Sequence, residues 1–200
     1  MENKMIIATG NEGKMKEIRQ ILASADRTFA SLNDCGLSHI EIIEDGKTFE
    51  ENAIIKARAI MEHTGEMVLA DDSGLEVDYL DKAPGIYSAR YLGEDTSYTI
   101  KNNHIIKLLE GVEGTDRSAR FICVIACAFP DGRILTTKGI IEGQIAYEEK
   151  GEHGFGYDPI FFVPEFGCTS AELTPEEKNK ISHRAKAITA MHELLQKEGY

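Results

Sequence analysis

No apolar run in the 200-residue sequence approaches the length of a membrane span. The opening Met1-Glu2-Asn3-Lys4 leads straight into the short apolar stretch Met5-Ile6-Ile7-Ala8, far too brief for a signal-peptide core. Cysteine is scarce as well. Cys35, Cys123, Cys127 and Cys168 form no C-x-x-C pair, so a structural zinc site is not expected. Cys123 and Cys127, four apart in a strand-like run, read instead as small buried hydrophobes in a reducing cytoplasm. Basic residues are the minority: 22 Lys and Arg face 34 Asp and Glu, a formal charge of −12. Nucleic-acid polymers need a basic face, so they are poor partners for this chain. A small anionic ligand in a locally basic pocket is still compatible with that charge. Internal repeats, low-complexity tracts and long linkers are absent, which leaves one domain or two closely packed lobes over residues 1–200.

What is present is a series of polar stretches, each at the end of an apolar one. Met5 to Thr9 reads as a buried strand running into Gly10-Asn11-Glu12-Gly13-Lys14, after which Met15, Ile18, Ile21 and Leu22 take helical spacing. A strand, a glycine turn and a helix start present free backbone N–H groups to an anion. Asn11 is a candidate N-cap and Lys14 adds an ammonium. The spacing is not that of a P-loop, and a plain strand-to-helix turn is the competing reading. Ile40 to Glu44 reads as a strand. Thr48-Phe49-Glu50-Glu51 reads as a capping box for a helix that stops at Gly65. Asn52 and Lys56 share a face of that helix, and on their own they read as a solvated one.

Met67 to Ala70 reads as a strand delivering Asp71-Asp72-Ser73-Gly74, with a turn at the glycine and a further short strand at Leu75-Glu76-Val77. Adjacent carboxylates repel, and burial sharpens the conflict. A divalent cation would resolve it, since Mg²⁺ is commonly held by one or two carboxylates plus substrate phosphates. The alternative is an Asx-turn with both aspartates in water. Ala83 to Arg90 is a loop offering the Tyr87 ring and the Arg90 guanidinium. Thr96 to Glu110 is helical, and Ala119 to Phe129 and Ile134 to Ile145 form an antiparallel pair about Pro130-Asp131-Gly132. Gly154-Phe155-Gly156-Tyr157-Asp158-Pro159 precedes a strand and offers a ring on which a base can stack. Thr174-Pro175-Glu176-Glu177 starts a helix bearing Lys178. Ser182 then opens a last helix whose first turn holds His183 and Arg184. Cations there oppose the helix dipole unless an anion or a polar ligand is near.

Taken in order, Thr9–Lys14, Thr48–Ala53 with Lys56-Ala57, Ala70–Leu75, Ala83–Arg90, Phe155–Pro159 and Ser182–Arg184 resemble the inosine triphosphate pyrophosphatase family over essentially the whole chain. The resemblance implies an α/β fold of three layers: a mixed central sheet between helices, in an elongated two-lobed domain with a substrate cleft between the lobes. It implies hydrolysis of non-standard purine nucleoside triphosphates (dITP, ITP, XTP, dXTP) to the monophosphate and pyrophosphate, Mg²⁺ dependence, and a homodimer.

Carried over by position, Thr9, Gly10, Asn11, Glu12, Gly13 and Lys14 hold the triphosphate. Glu44 and Asp72 serve the metal, Asp72 is the proton acceptor, and Asp71 has a supporting or base role. Lys56 is a phosphate or catalytic lysine. Ser73, Phe155, Gly156, Tyr157, Asp158, Lys178, His183 and Arg184 line the substrate. The chain departs from the family at Gly151-Glu152-His153-Gly154 and at Asp81-Lys82, differences that bear on loop mobility or pocket edges and remove no proposed catalytic group. The competing functions are a Maf-like pyrophosphatase acting on modified pyrimidine nucleotides and a nucleotide-binding module without turnover.

Overall fold

The computed structural model of the protein describes residues 4–23 and 27–200. Met1, Glu2 and Asn3, read above as leading into the first strand, lie outside the described residues. Among the described residues the strands and α-helices, in chain order, are β1 (Lys4–Ile7), α1 (Glu12–Ile21), β2 (Thr28–Ser31), α2 (Phe49–Thr64), β3 (Val68–Val77), α3 (Tyr98–Leu108), β4 (Ser118–Ala128), β5 (Ile134–Ile145), β6 (Phe161–Val163), β7 (Cys168–Thr169), α4 (Pro175–Ile181) and α5 (His183–Lys197). The strands form a seven-stranded sheet in the order β2-β1-β3-β4-β5-β6-β7. It is mixed, as expected. β1 runs parallel to β2 and to β3, with Ile7 opposite Ser31 on one side and Leu69 on the other. β6 runs antiparallel to both β5 and β7. Among the described residues no helix is long and apolar enough to cross a membrane.

Contacts divide the chain into two compact units: Met1–Asp72 with Cys123–Gly139 and His183–Tyr200, and Ser73–Ile122 with Ile140–Ser182. In the first, β1, β3 and β4 lay Met5, Ile7, Leu69, Cys123 and Ile125 against Met15 and Ile18 of α1 and Ile188 and Met191 of α5. Burial pushes the thiols of Cys123 and Cys127 up to about 12, so both stay neutral hydrophobes. In the second unit, Leu75, Phe121, Ile145, Ile160 and Phe161 pack with Ile105 and Leu109 of α3. The buried Arg117 knots that unit by donating to the carbonyls of Leu109, Val112, Ile145 and Ala146.

Local chemistry starts the helices where the sequence indicates. Asn11 Oδ1 accepts from Lys14 N at 3.0 Å, and Thr48 Oγ1 accepts from Glu51 N at 3.1 Å. Thr174 and Glu177 close a full capping box. α2 ends at Gly65, whose φ of +67° is the left-handed conformation a helix stop requires.

Four expectations are corrected. Glu51 does not complete a box at Thr48, because its carboxylate accepts from Lys47 N instead. Ile40 to Glu44 is not a strand: residues 41–46 join no ladder, Ile43 is 75% exposed, and the edge place beside β1 belongs to Thr28–Ser31. Asn52 and Lys56 are not on a solvated face, since both are buried. The chain does not turn at Gly74, because β3 continues unbroken from Val68 to Val77.

Candidate active site

β3 explains how two aspartates can stand side by side inside a protein. Successive strand residues point to opposite faces, so Asp71 and Asp72 part company at once. Asp71 joins the face covered by α1 and α5. Its Oδ2 lies 2.9 Å from Lys14 Nζ and 3.5 Å from the Arg184 guanidinium. Burial would raise this carboxyl, but Lys14, Arg184 and Lys56 outweigh burial and hold it below the usual carboxylate range. Arg184 also pairs closely with Glu17 of α1, and these carboxylates keep its buried guanidinium charged against the pull of burial. They are the anions that a cation in the first turn of α5 needs.

Asp72 faces α2. Its Oδ1 lies 2.9 Å from Lys56 Nζ, and the same ammonium lies 2.9 Å from Glu44 Oε2. Burial raises the Asp72 carboxyl. Glu44 raises it further, and the attraction of Lys56 and Lys14 does not cancel the rise. Lys56 behaves in the opposite sense: burial works against its charge, but Asp72, Asp71 and Glu44 more than restore it. Asp72 Oδ2 is buried with no hydrogen-bond partner among the described residues. A carboxylate with a raised pKa and one unused oxygen is equipped to accept a proton or to bind a cation.

Thr9 and Gly10 follow β1. Thr9 Oγ1 accepts from Asn11 N at 3.2 Å, and a side chain at Gly10 would meet open space. Gly13 sits in the first turn of α1. Glu12 accepts from Asn33 Nδ2 at 3.1 Å, so its carboxylate serves the neighbouring loop. A helix N-terminus with Lys14 in its first turn is able to receive an anion. Glu44 and Asp72 are the pair able to contribute to a metal site. Among the described residues, no group of three or more His, Cys, Asp or Glu side chains gathers to hold a metal ion.

The second unit brings the other candidates together around Asp158. Its carboxylate accepts from Phe155 N at 2.8 Å, Ser170 Oγ at 3.0 Å and Lys178 Nζ at 2.6 Å. Lys178 Nζ also stands 5.2 Å from the centre of the half-exposed Phe155 ring. Gly154, at φ +75°, leaves the room this carboxylate occupies. Gly156 accepts from Asn102 Nδ2 through its carbonyl. Tyr157 turns inward: its hydroxyl donates to Ser88 O at 2.8 Å and its ring meets Tyr98 edge-on at 5.3 Å. Ser73 is half-buried on β3, next to Asp72. In the loop before α3, Arg90 lies 5.0 Å from the centre of the Tyr87 ring.

In the first unit His183, buried, opens α5. Gly139 of β5 passes so close to it that a Cβ would collide with His183 O and come within 2.7 Å of Ala187 N. Sequence reasoning missed Gly139 and Glu17. The one signal for Glu17 was the cation at the start of α5, which called for a partner.

Residues 5–194 match the Ham1 family model. The dITP/XTP pyrophosphatase of Desulforamulus reducens is 52% identical over 193 residues, covering 96% of this chain and 95% of that protein. The dITP/XTP pyrophosphatase of Bacillus subtilis is 48% identical over 191 residues, 96% of each. Among solved structures, the Ham1 protein of Staphylococcus aureus aligns with a TM-score of 0.86 and 41% identity over 98% of this chain and 99% of that one. A HAM1 protein from Coxiella burnetii aligns with a TM-score of 0.87 and 41% identity over 98% of this chain and 100% of that one. The helix starts capped by Asn11, Thr48 and Thr174, the paired aspartates on β3 and the glycine-flanked Phe155 thus stand in a chain that belongs to the Ham1 family.

Proposed function

We infer that this chain is a dITP/XTP pyrophosphatase. It hydrolyses non-standard purine nucleoside triphosphates to the monophosphate and pyrophosphate and so removes them from the nucleotide pool. The observation that carries this reading is the 52% identity over 96% of the chain to a protein of that name. The site chemistry supports it. Water attacks phosphorus and a charged pyrophosphate leaves, so the protein's tasks are to position, to neutralise charge and to take a proton.

In the mechanism we propose, the amides at the start of α1 and the Lys14 ammonium receive phosphate oxygens, and Lys56 offsets their charge. Asp72, raised in pKa and with Oδ2 unused, takes the proton from the attacking water. Asp71 holds Lys14 and Arg184 in place. Glu44 and Asp72 suit Mg²⁺, since two carboxylates already converge on one cation, Lys56, and Asp72 Oδ2 is buried with no hydrogen-bond partner among the described residues. When bound there, the metal would neutralise phosphate charge and acidify a water. Phe155 offers its face to the purine, and Lys178 and the His183-Arg184 segment offer donors to the 6-oxo group that separates hypoxanthine and xanthine from adenine. A site built for that pattern disfavours the 6-amino pattern by a factor of about 10⁴ or more. Residues 1–200 are taken in this proposal as one catalytic domain. Location in the cytoplasm and assembly as a homodimer belong to the same proposal and rest on family resemblance.

The test is product analysis with dITP, XTP and ATP, each with and without Mg²⁺. Monophosphate and pyrophosphate from dITP and XTP, metal-dependent and far in excess of ATP turnover, are expected. Diphosphate and phosphate would overturn the bond assigned, and absence of turnover would overturn the activity.

A further inference from the structure

Glu44 lies in residues 41–46, which form neither helix nor strand, yet its carboxylate meets Lys56 Nζ at 2.9 Å. A side chain on irregular backbone keeps such a distance only where something fixes that backbone. Two residues on, the Gly46 amide donates to Asn52 Oδ1 at 2.9 Å. Asn52 is fully buried, and its Nδ2 has no hydrogen-bond partner among the described residues. Burying an amide with its donor unmade is unfavourable, so an apolar side chain of the same size would suit the position better if packing were the only demand. What Asn52 supplies and leucine cannot is the acceptor for Gly46.

Position 46 is shaped to the same contact. A Cβ there would lie 2.6 Å from Asn52 Oδ1 and 2.8 Å from Glu51 Cβ. Asn52 and Lys56 stand one turn apart on α2. One helix face thus grips the segment twice, Lys56 by the Glu44 side chain and Asn52 by the main chain.

We propose that Asn52 is a positioning residue for the pyrophosphatase reaction: by accepting the Gly46 N–H it fixes the backbone that sets Glu44 against Lys56 and Asp72. The inference rests on the reading above, in which Glu44 and Asp72 serve the chemistry. Two variants, Asn52→Leu and Gly46→Ala, remove the contact from opposite sides, so failure of one to fold leaves the other.

Each is made in the native background and in Glu44→Gln. Steady-state turnover of dITP and hydrogen exchange at the amide of position 46 are then measured. In the native background kcat is expected to fall about 10–100-fold, the usual range for losing a residue that orients a ligating or catalytic group, with KM within about threefold. Exchange at position 46 accelerates. In the Glu44→Gln background the further loss of kcat is expected to be under about twofold, because the residue through which Asn52 acts is already gone. A full loss repeated in the Glu44→Gln background, an unchanged kcat, or an amide already unprotected in the wild type overturns the proposal. Wild-type protein that releases no pyrophosphate from dITP or XTP overturns the functional reading beneath it, and that result is visible before any variant is made.

Discussion

Two faces of one strand put adjacent aspartates into different surroundings. On the face toward α1 and α5, Asp71 is buried between Lys14 and Arg184, with Glu17 behind the guanidinium. On the face toward α2, Asp72 shares one ammonium with Glu44. Burial acts to raise both, and the charges around each decide the outcome. Asp71 is held below the ordinary carboxylate range and Asp72 is raised above it. A carboxylate surrounded by cations is held ionised as part of the fold, whereas one that shares its cation with a second carboxylate is more easily protonated and available for chemistry.

The largest expected break in this comparison is catalytic. Asp72→Asn should lower kcat by about 10³-fold or more with little change in KM, whereas Asp71→Asn should keep measurably more turnover. Steady-state pyrophosphate release on both variants checks the ordering, and equal losses would dissolve the distinction between the faces.

Next comes stability. Arg184→Met leaves Glu17 and Asp71 without the guanidinium in a buried place, and breaking such a pair destabilises by about 3–5 kcal/mol. Denaturant unfolding measures it, and a loss under about 1 kcal/mol would show that the pair is not held as described.

The third contrast is the response to pH. Asp71, lowered in the fold, contributes stability that is present above its unfolded pKa, about 3.9, and is lost as pH falls through the folded value. Asp72, raised in the fold, acts in the opposite sense: the folded state is favoured by its proton, and that contribution is lost as pH rises through the folded value. At pH 7, Asp71→Asn should therefore melt below wild type, and Asp72→Asn should melt no lower than wild type. Thermal melts from pH 3 to 8 test both signs.

The smallest effect lies at the start of α1. Asn11→Ala removes the acceptor for Lys14 N and should destabilise by about 1 kcal/mol. A change several times larger would mean that the cap also holds Lys14 to Asp71.

Much of this was legible in the sequence because it is written locally. A cap needs one side chain and an amide three residues away, so Asn11, Thr48 and Thr174 mark their helices without knowledge of the rest. The paired aspartates were conspicuous because their neighbours were apolar. What escaped depends on residues distant in the chain. Ile40 to Glu44 has strand-like composition, but the place beside β1 was already taken by Thr28–Ser31, and no local pattern records that competition. Asn52 and Lys56 look like a polar face because hydrophobic periodicity counts them as outward. They are inward because Gly46, Glu44 and Asp72 supply partners from elsewhere. Glu17 became visible only when Arg184 arrived from 167 positions away.

The composition of the first unit has a consequence for biogenesis. Its core needs Leu69 from β3, Cys123 from β4 and Ile188 and Met191 from α5, three stretches separated by most of the chain. During synthesis the strands leave the ribosome long before α5 does, so the apolar face that α5 covers, and the Asp71 carboxylate that Arg184 neutralises, remain open until the chain is nearly finished. A stalled nascent chain truncated before His183 should accordingly leave Cys123 reactive toward a thiol reagent, and release of the full chain should close it.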